Sequence, residues 1–205
     1  MPVIPISPPA GTRRVLADYA VGRSSGTAVA EIGLVAGFAG LIGLAAQVVV
    51  PLPWTPVPVT GQTFAVLLGA AVLGARRAGA GGLLYLLAGL AGVPWFAGWS
   101  AGYVGASFGY IVAFPFAAAL VGWLADVGFA RRLAGMVAAM VAGDLVVYLG
   151  GVPWLMQSIH VGVRRALDLG AFPFLAGDAL KLALAAALVP AAWSAVGRVA
   201  TRRPR

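Results

Sequence analysis

The sequence predicts an all-α integral membrane protein: six transmembrane helices in one bundle, with both termini in the cytoplasm. Three observations carry this. Of the 205 residues 61% are apolar and only 10% are charged, where a soluble domain has roughly a quarter charged. Apolar stretches near membrane-spanning length recur from Val29 to Val196. The basic residues fall mostly in pairs between those stretches. A mean hydropathy of +0.95 and 29 glycines spread through apolar runs fit closely packed membrane helices.

The formal charge of +8 is no mark of a nucleic-acid partner, because no basic stripe is interleaved with aromatics. With no Cys, the chain has no disulfide framework, thiolate metal site or Cys nucleophile.

Residues 1–28 form a cytoplasmic lead-in, rich in Pro, Ser, Gly and Arg and without the apolar core of a secretory signal. The transmembrane domain covers 29–196, and 197–205 is a basic tail. The first span runs from Val29 to Val50 and stops at Pro51-Leu-Pro-Trp-Thr-Pro-Val-Pro58, where four prolines forbid a continuous helix. The second covers 61–74 and ends at Arg76 and Arg77; the third covers 78–97, followed by a Gly/Ser loop to Gly105. The fourth covers 106–125 and the fifth 133–151. A connection from Val152 to Gly170 repeats Ile159, Val163 and Leu167 at helical spacing, which predicts a short interfacial helix. The sixth span is 171–196.

Charge gives the orientation. With both termini inside, Arg13, Arg14, Arg23, Arg76, Arg77, Arg131, Arg132, Arg198, Arg202, Arg203 and Arg205 are inside, and the outer loops hold only Arg164 and Arg165. That asymmetry obeys the positive-inside rule. In the first span Ala36 and Gly40, and Ala39 and Gly43, recur four apart. Such small residues suit close approach of another helix, either a partner subunit at a coupling interface or a neighbour in the same chain.

Ionisable residues within a span are costly and therefore candidate site residues. Asp178 and Lys181 share a helix face, three apart, as do Asp144 and Tyr148, four apart. The first pair can be a self-satisfied ion pair and the second a carboxylate bonded to its own tyrosine. Glu31 is expected to bend toward the inner interface. Thr60 and Gln62 offer uncharged donors and acceptors beside the proline loop, suited to an amide-like or urea-like group. Trp54, Tyr85, Phe96 and Tyr110, with Ser100 in the Gly/Ser loop, gather toward the outer ends, as a lid over a pocket or as the aromatic belt of the interface. His160 is a lone histidine, so no metal site is expected. No nucleotide-binding lysine loop is present.

Four segments carry a family resemblance: Pro51 through Leu68, with its Pro-Val-Thr-Gly-Gln core; Pro94-Trp-Phe-Ala-Gly98; Gly150-Gly-Val-Pro-Trp-Leu155; and Pro173-Phe-Leu-Ala-Gly-Asp-Ala-Leu-Lys181. Together they resemble the BioY family, the biotin-specific substrate-binding (S) subunits of energy-coupling factor (ECF) transporters. The resemblance implies an S-component bundle with a biotin site near the outer face, capped by the loops after spans one, three and five. It implies that Thr60, Gln62, Asp178 and Lys181 are site residues. The chain departs from the family at Ala106-Ser-Phe-Gly-Tyr110, often Pro-Thr-Gly-Gly-Tyr, and at Ala176, commonly Pro.

Biotin's chemistry agrees. Its ureido ring needs polar partners, its thioether bicycle an apolar or aromatic wall, and its carboxylate a cation. Gln62, Asp178, the aromatics and Lys181 supply those types, and the sequence leaves open which polar residue meets which end. No cofactor is expected; biotin is the ligand. Without an ATPase motif, uptake against a gradient calls for a transmembrane coupling subunit and two ATPase subunits, in the cell membrane of a bacterium or archaeon. A different class, an intramembrane enzyme using Asp144 and Asp178 as a carboxylate pair, requires a shared proton. Lys181 one turn from Asp178 opposes it, because a neighbouring cation favours the ionised carboxylate.

Overall fold

The computed structural model describes residues 15–21 and 27–201. Most of the expected lead-in, and Arg202, Arg203 and Arg205 of the tail, lie outside the described residues, as do Arg13, Arg14 and Arg23. The helices are α1 (Leu16–Val21), α2 (Ala28–Ala45), α3 (Gln62–Leu73), α4 (Ala75–Leu90), α5 (Phe108–Asp126), α6 (Leu133–Ile159), α7 (Val163–Gly170) and α8 (Leu175–Thr201). By length and composition, four stretches can cross a membrane: 28–45, 105–126, 133–159 and 163–196. At 12 and 16 residues, α3 and α4 rise only about 18 and 24 Å, less than the ~30 Å of a hydrocarbon core.

The Thr27 side chain caps α2, accepting the Ala30 N–H at 3.3 Å. This helix ends at Ala45, short of the expected Val50. The β-branched Val48-Val49-Val50 run before Pro51 favours extended backbone, and Val49–Val50 instead forms β1, antiparallel to β2 (Val59–Thr60). The proline cluster is therefore the loop of a two-stranded hairpin, whose ladder satisfies backbone groups that the prolines prevent a helix from pairing. Gly61 follows because a Cβ there would stand 2.7 Å from the Ala45 carbonyl oxygen.

Gly74 alone separates α3 from α4, at φ 82°, ψ 170°, a region open essentially to glycine. The Asp126 carboxylate accepts the Ala75 N–H at 3.2 Å and so covers an unpaired amide of the α4 N-terminus. Arg76 and Arg77 thus begin α4 rather than lying between spans. The helix ends at Leu90, earlier than expected, and residues 91–107 form a loop with 3-10 turns at Ala97–Trp99 and Gly105–Ser107. Gly82 brings α4 onto α5: a Cβ there would lie 3.1 Å from the Pro115 Cα.

The largest departure is in α6. The fifth span is expected to end at Gly151, yet the helix continues through Pro153 to Ile159 and closes at His160, φ 54°. Proline removes one N–H bond to the carbonyl four residues back, a defect that membrane helices tolerate where the freed group is re-satisfied. The expected short helix does form, as α7, but without Ile159.

One end of the bundle is held by ions and rings. Arg77 meets Glu31 through Nε at 2.8 Å and Nη2 at 2.6 Å, and Asp18 through Nη1 at 2.6 Å. Glu31 is therefore paired rather than merely bent toward an interface. The Arg131 guanidinium lies 4.8 Å from the centroid of the Trp193 ring, against which Tyr19 packs edge-on at 5.7 Å. The hairpin, the 91–107 loop and α7 form the opposite end.

The small-residue face of α2 divides. A Cβ at Gly33, Gly37 or Gly40 would meet nothing within 4 Å, and Ala36 is exposed. Ala39 is fully buried, and a Cβ on Gly43 would lie 3.1 Å from Trp95. Ala39 and Gly43 pack inside the chain, a correction to the expected four-residue coupling face.

Candidate functional site

Beneath the hairpin and the 91–107 loop lies a cavity of about 240 Å³, just under the ~300 Å³ at which small-molecule pockets usually begin. Each wall follows from a local pattern. Strand β2 and the first turn of α3 contribute Thr60, Gln62 and Thr63; the loop contributes Ala97 and Ser100. From α5 come Tyr110, Ile111 and Phe114, from α6 Asp144, Val147 and Tyr148, and from α8 Asp178 and Lys181, all at the three- and four-residue spacing of one helix face.

The charged side is a connected group. Lys181 Nζ lies 3.1 Å from Asp178 Oδ1 and donates to Thr63 Oγ1 at 2.7 Å. The Tyr148 hydroxyl donates to Asp178 Oδ2. Asp178 and Lys181 therefore pair as their spacing predicts, while Tyr148 does not bond Asp144. Among the described residues Asp144 makes no hydrogen bond, and it lines the cavity within electrostatic reach of Asp178 and Lys181.

The uncharged polar side is bonded inward. Thr60 Oγ1 donates to Gln62 Oε1 at 2.8 Å, and Gln62 Nε2 donates to the Tyr85 hydroxyl at 2.6 Å. Gln62 is 4% exposed, the one buried polar residue among those described. Its amide holds Thr60 in place.

Eight of the expected site residues, Thr60, Gln62, Ser100, Tyr110, Asp144, Tyr148, Asp178 and Lys181, meet at this cavity. Trp54, Tyr85 and Phe96 stand outside its wall. Trp54 is 60% exposed on the proline loop, while Tyr85 and Phe96 are fully buried behind the cavity, 5.2 Å apart edge to face. Tyr110 is braced by its hydroxyl, which donates to the Gly170 carbonyl at 2.7 Å, and by Gly151, where a Cβ would collide with its ring. Thr55 Oγ1 donates to the Leu169 carbonyl at 2.6 Å, tying the proline loop to α7.

Thr63, Ser107 and an apolar wall of Val57, Ile111, Phe114, Val147 and Phe174 also line the cavity and are not among the residues expected there. Thr63 had a signal, since it follows Gln62 at the same helix start. The apolar residues had none that separates a pocket wall from ordinary core.

Residues 18–198 match the BioY family. The chain belongs to the BioY family. A probable biotin transporter BioY of Pyrococcus horikoshii is 39% identical over 158 residues, 76% of this chain and 91% of its own length. The biotin transporter BioY of Thermotoga maritima is 36% identical over 152 residues, 73% of this chain and 87% of its own. Among solved structures, the S-component for biotin from an ECF-type ABC transporter has the same fold, with a TM-score of 0.72 at 21% identity, covering 82% of this chain and 93% of its own. The BioY assignment thus rests on sequence, and the fold agrees with it.

Proposed function

We infer that the chain binds biotin and mediates its uptake as the substrate-binding subunit of an ECF-type transporter. The observation that carries this is the cavity of a BioY-family chain in which Asp144, Asp178 and Lys181 converge opposite an apolar wall.

The charge count orients the ligand. Two carboxylates and one ammonium leave the cluster formally negative, a poor place for the biotin carboxylate and a good one for its ureido ring. Asp144, which makes no hydrogen bond among the described residues, accepts from one of the two ureido N–H groups. Lys181 has three donors, and with two directed at Asp178 and Thr63 the third is available to the ureido carbonyl. The bicycle lies on Ile111, Phe114 and Val147, and the carboxylate points toward Ser107 at the loop, the Ser100 hydroxyl being given to the Ala97 carbonyl at 2.8 Å. Thr60, Gln62 and Tyr148 support the site. The carboxylate-pair enzyme is disfavoured because both Asp178 oxygens are already engaged, by Lys181 and Tyr148.

In the cell membrane, α2 to α6 and α8 form six spans with both termini in the cytoplasm, α3 and α4 being the short pair. The outward face of α2 at Ala36 and Gly40 docks a transmembrane coupling subunit, and two ATPase subunits supply the energy. Equilibrium binding of radiolabelled biotin to the purified protein tests the reading. Saturable binding, displaced by biotin and not by a vitamin lacking a ureido ring, is expected. No saturable binding, or conversion of biotin to a product, overturns it.

A further inference from the structure

Gln47 was silent in the sequence, although it is the one polar side chain between Ile32 and Val50. It stands just past the end of α2, and its amide reaches into the loop after α4. Its Nε2 donates toward the Gly43 carbonyl at 2.9 Å, the Phe96 carbonyl at 3.1 Å and the Trp95 carbonyl at 3.3 Å. Its Oε1 accepts the Trp99 N–H at 3.0 Å. One side chain thus bonds both limbs of the turn that places Ala97 and Ser100 on the cavity.

That turn is strained. Gly98 and Trp99 lie at φ 68° and 58°, and a bulky residue at positive φ is rare. The Trp99 side chain is 65% exposed, so ring packing is not what holds its backbone there. The Gln47 bond to its N–H ties it to α2, while the Phe96 N–H to Ser100 carbonyl bond at 2.9 Å and the Ser100 hydroxyl bond to the Ala97 carbonyl at 2.8 Å close the turn on itself. The Trp95 carbonyl also accepts from the Tyr85 hydroxyl at 3.3 Å, the hydroxyl that receives Gln62 Nε2. The turn is thereby fastened on one side to the polar wall of the cavity and on the other to the helix whose outer face carries Gly40.

We propose that Gln47 is a positioning residue that holds the 95–100 turn closed over the cavity from the end of α2, and so sets how long the ligand stays. The part concerning the ligand rests on the biotin-binding reading; the part concerning the turn does not. Movement of α2 against α4 would act on the turn through this amide, giving α2 a direct grip on the entrance.

The test uses the full chain, which has no native cysteine, with Ala101→Cys carrying a nitroxide label. Gln47→Met keeps the length and apolar bulk of the side chain and removes every bond; Gln47→Glu keeps the acceptor for Trp99 and loses the donors. In both, the label in ligand-free protein should become more mobile. Radiolabelled biotin should dissociate about tenfold faster from Gln47→Met, the effect of losing hydrogen bonds that hold the closed state, with its association rate within about twofold of wild type. A residue that only supports the fold would lower the melting temperature and leave label mobility and dissociation unchanged below it, and that result overturns the proposal. If Gln47→Met does not fold, Gln47→Glu decides. Failure of the wild-type chain to bind biotin overturns the functional reading, while label mobility in ligand-free protein still decides the role of Gln47.

Discussion

Tyr148 on α6 gives its hydroxyl hydrogen bond to Asp178 on α8, not to Asp144 one turn before it on its own helix. The crossing bond has two effects. It locks α6 to α8 at the floor of the cavity, and it leaves Asp144 as the carboxylate with acceptors to spare.

Tyr148→Phe should therefore weaken biotin binding through Asp178 rather than through lost contact area. Removing a hydrogen bond to a charged group costs roughly 1.5 to 3 kcal/mol, about tenfold or more in affinity. Asp144→Asn replaces a charged acceptor of a ureido N–H by a neutral amide with a single acceptor, and should cost at least as much. Isothermal titration of both variants checks this. An Asp144→Asn protein that binds like wild type would remove Asp144 from the site.

The proposed orientation has a direct reading in whole cells. With Ser100 in the loop at the outer end, a lone cysteine from Ser100→Cys should react with an impermeant thiol reagent added outside, and a cysteine from Val127→Cys, exposed in the turn after α5, should react only after lysis. The reverse pattern would invert the bundle in the membrane.

What was legible in the sequence was local. The Asp178–Lys181 pair follows from three-residue spacing on one helix, and the order of apolar stretches follows from where the arginines fall. Bonds that cross between helices were not legible: Lys181 to Thr63, Tyr148 to Asp178 and Gln47 to the 95–100 turn each join residues far apart in the chain. Aromatics were ambiguous for a physical reason. Trp54 and Phe96 lie in similar Pro-rich, apolar contexts, yet one ends 60% exposed and the other fully buried, because loop packing rather than side-chain type decides which ring faces outward. The end of α6 is illegible for the same reason, since nothing local tells that the helix runs on through Pro153 to Ile159 instead of ending at Gly151.

The division of the α2 face yields the third prediction. Gly40→Trp places its ring where nothing lies within 4 Å, and should disrupt copurification with coupling subunits while biotin binding to the isolated chain stays intact. Gly43→Trp drives into Trp95 and should lower the melting temperature, with overpacking costing about 1 to 3 kcal/mol. Similar behaviour of the two variants would mean that the face is not divided as described.

The last prediction separates the two ends of the ligand. Lys181 holds Asp178 and Thr63 and has one donor left. If that donor serves the ureido carbonyl, Lys181→Ala removes a charge-assisted bond worth roughly 1.5 to 3 kcal/mol and leaves Asp178 without its cation. Biotin and its uncharged carboxamide present the same ureido ring, so both should lose affinity by the same factor, about tenfold or more. If instead Lys181 meets the carboxylate, the variant weakens biotin far more than the amide, and the preference for the acid collapses. Competition binding of both ligands to wild type and Lys181→Ala gives the ratio. Equal losses place the ureido ring at Asp144 and Lys181; unequal losses turn biotin end for end and put the carboxylate beside two acidic side chains, which the formal charge of the cluster opposes.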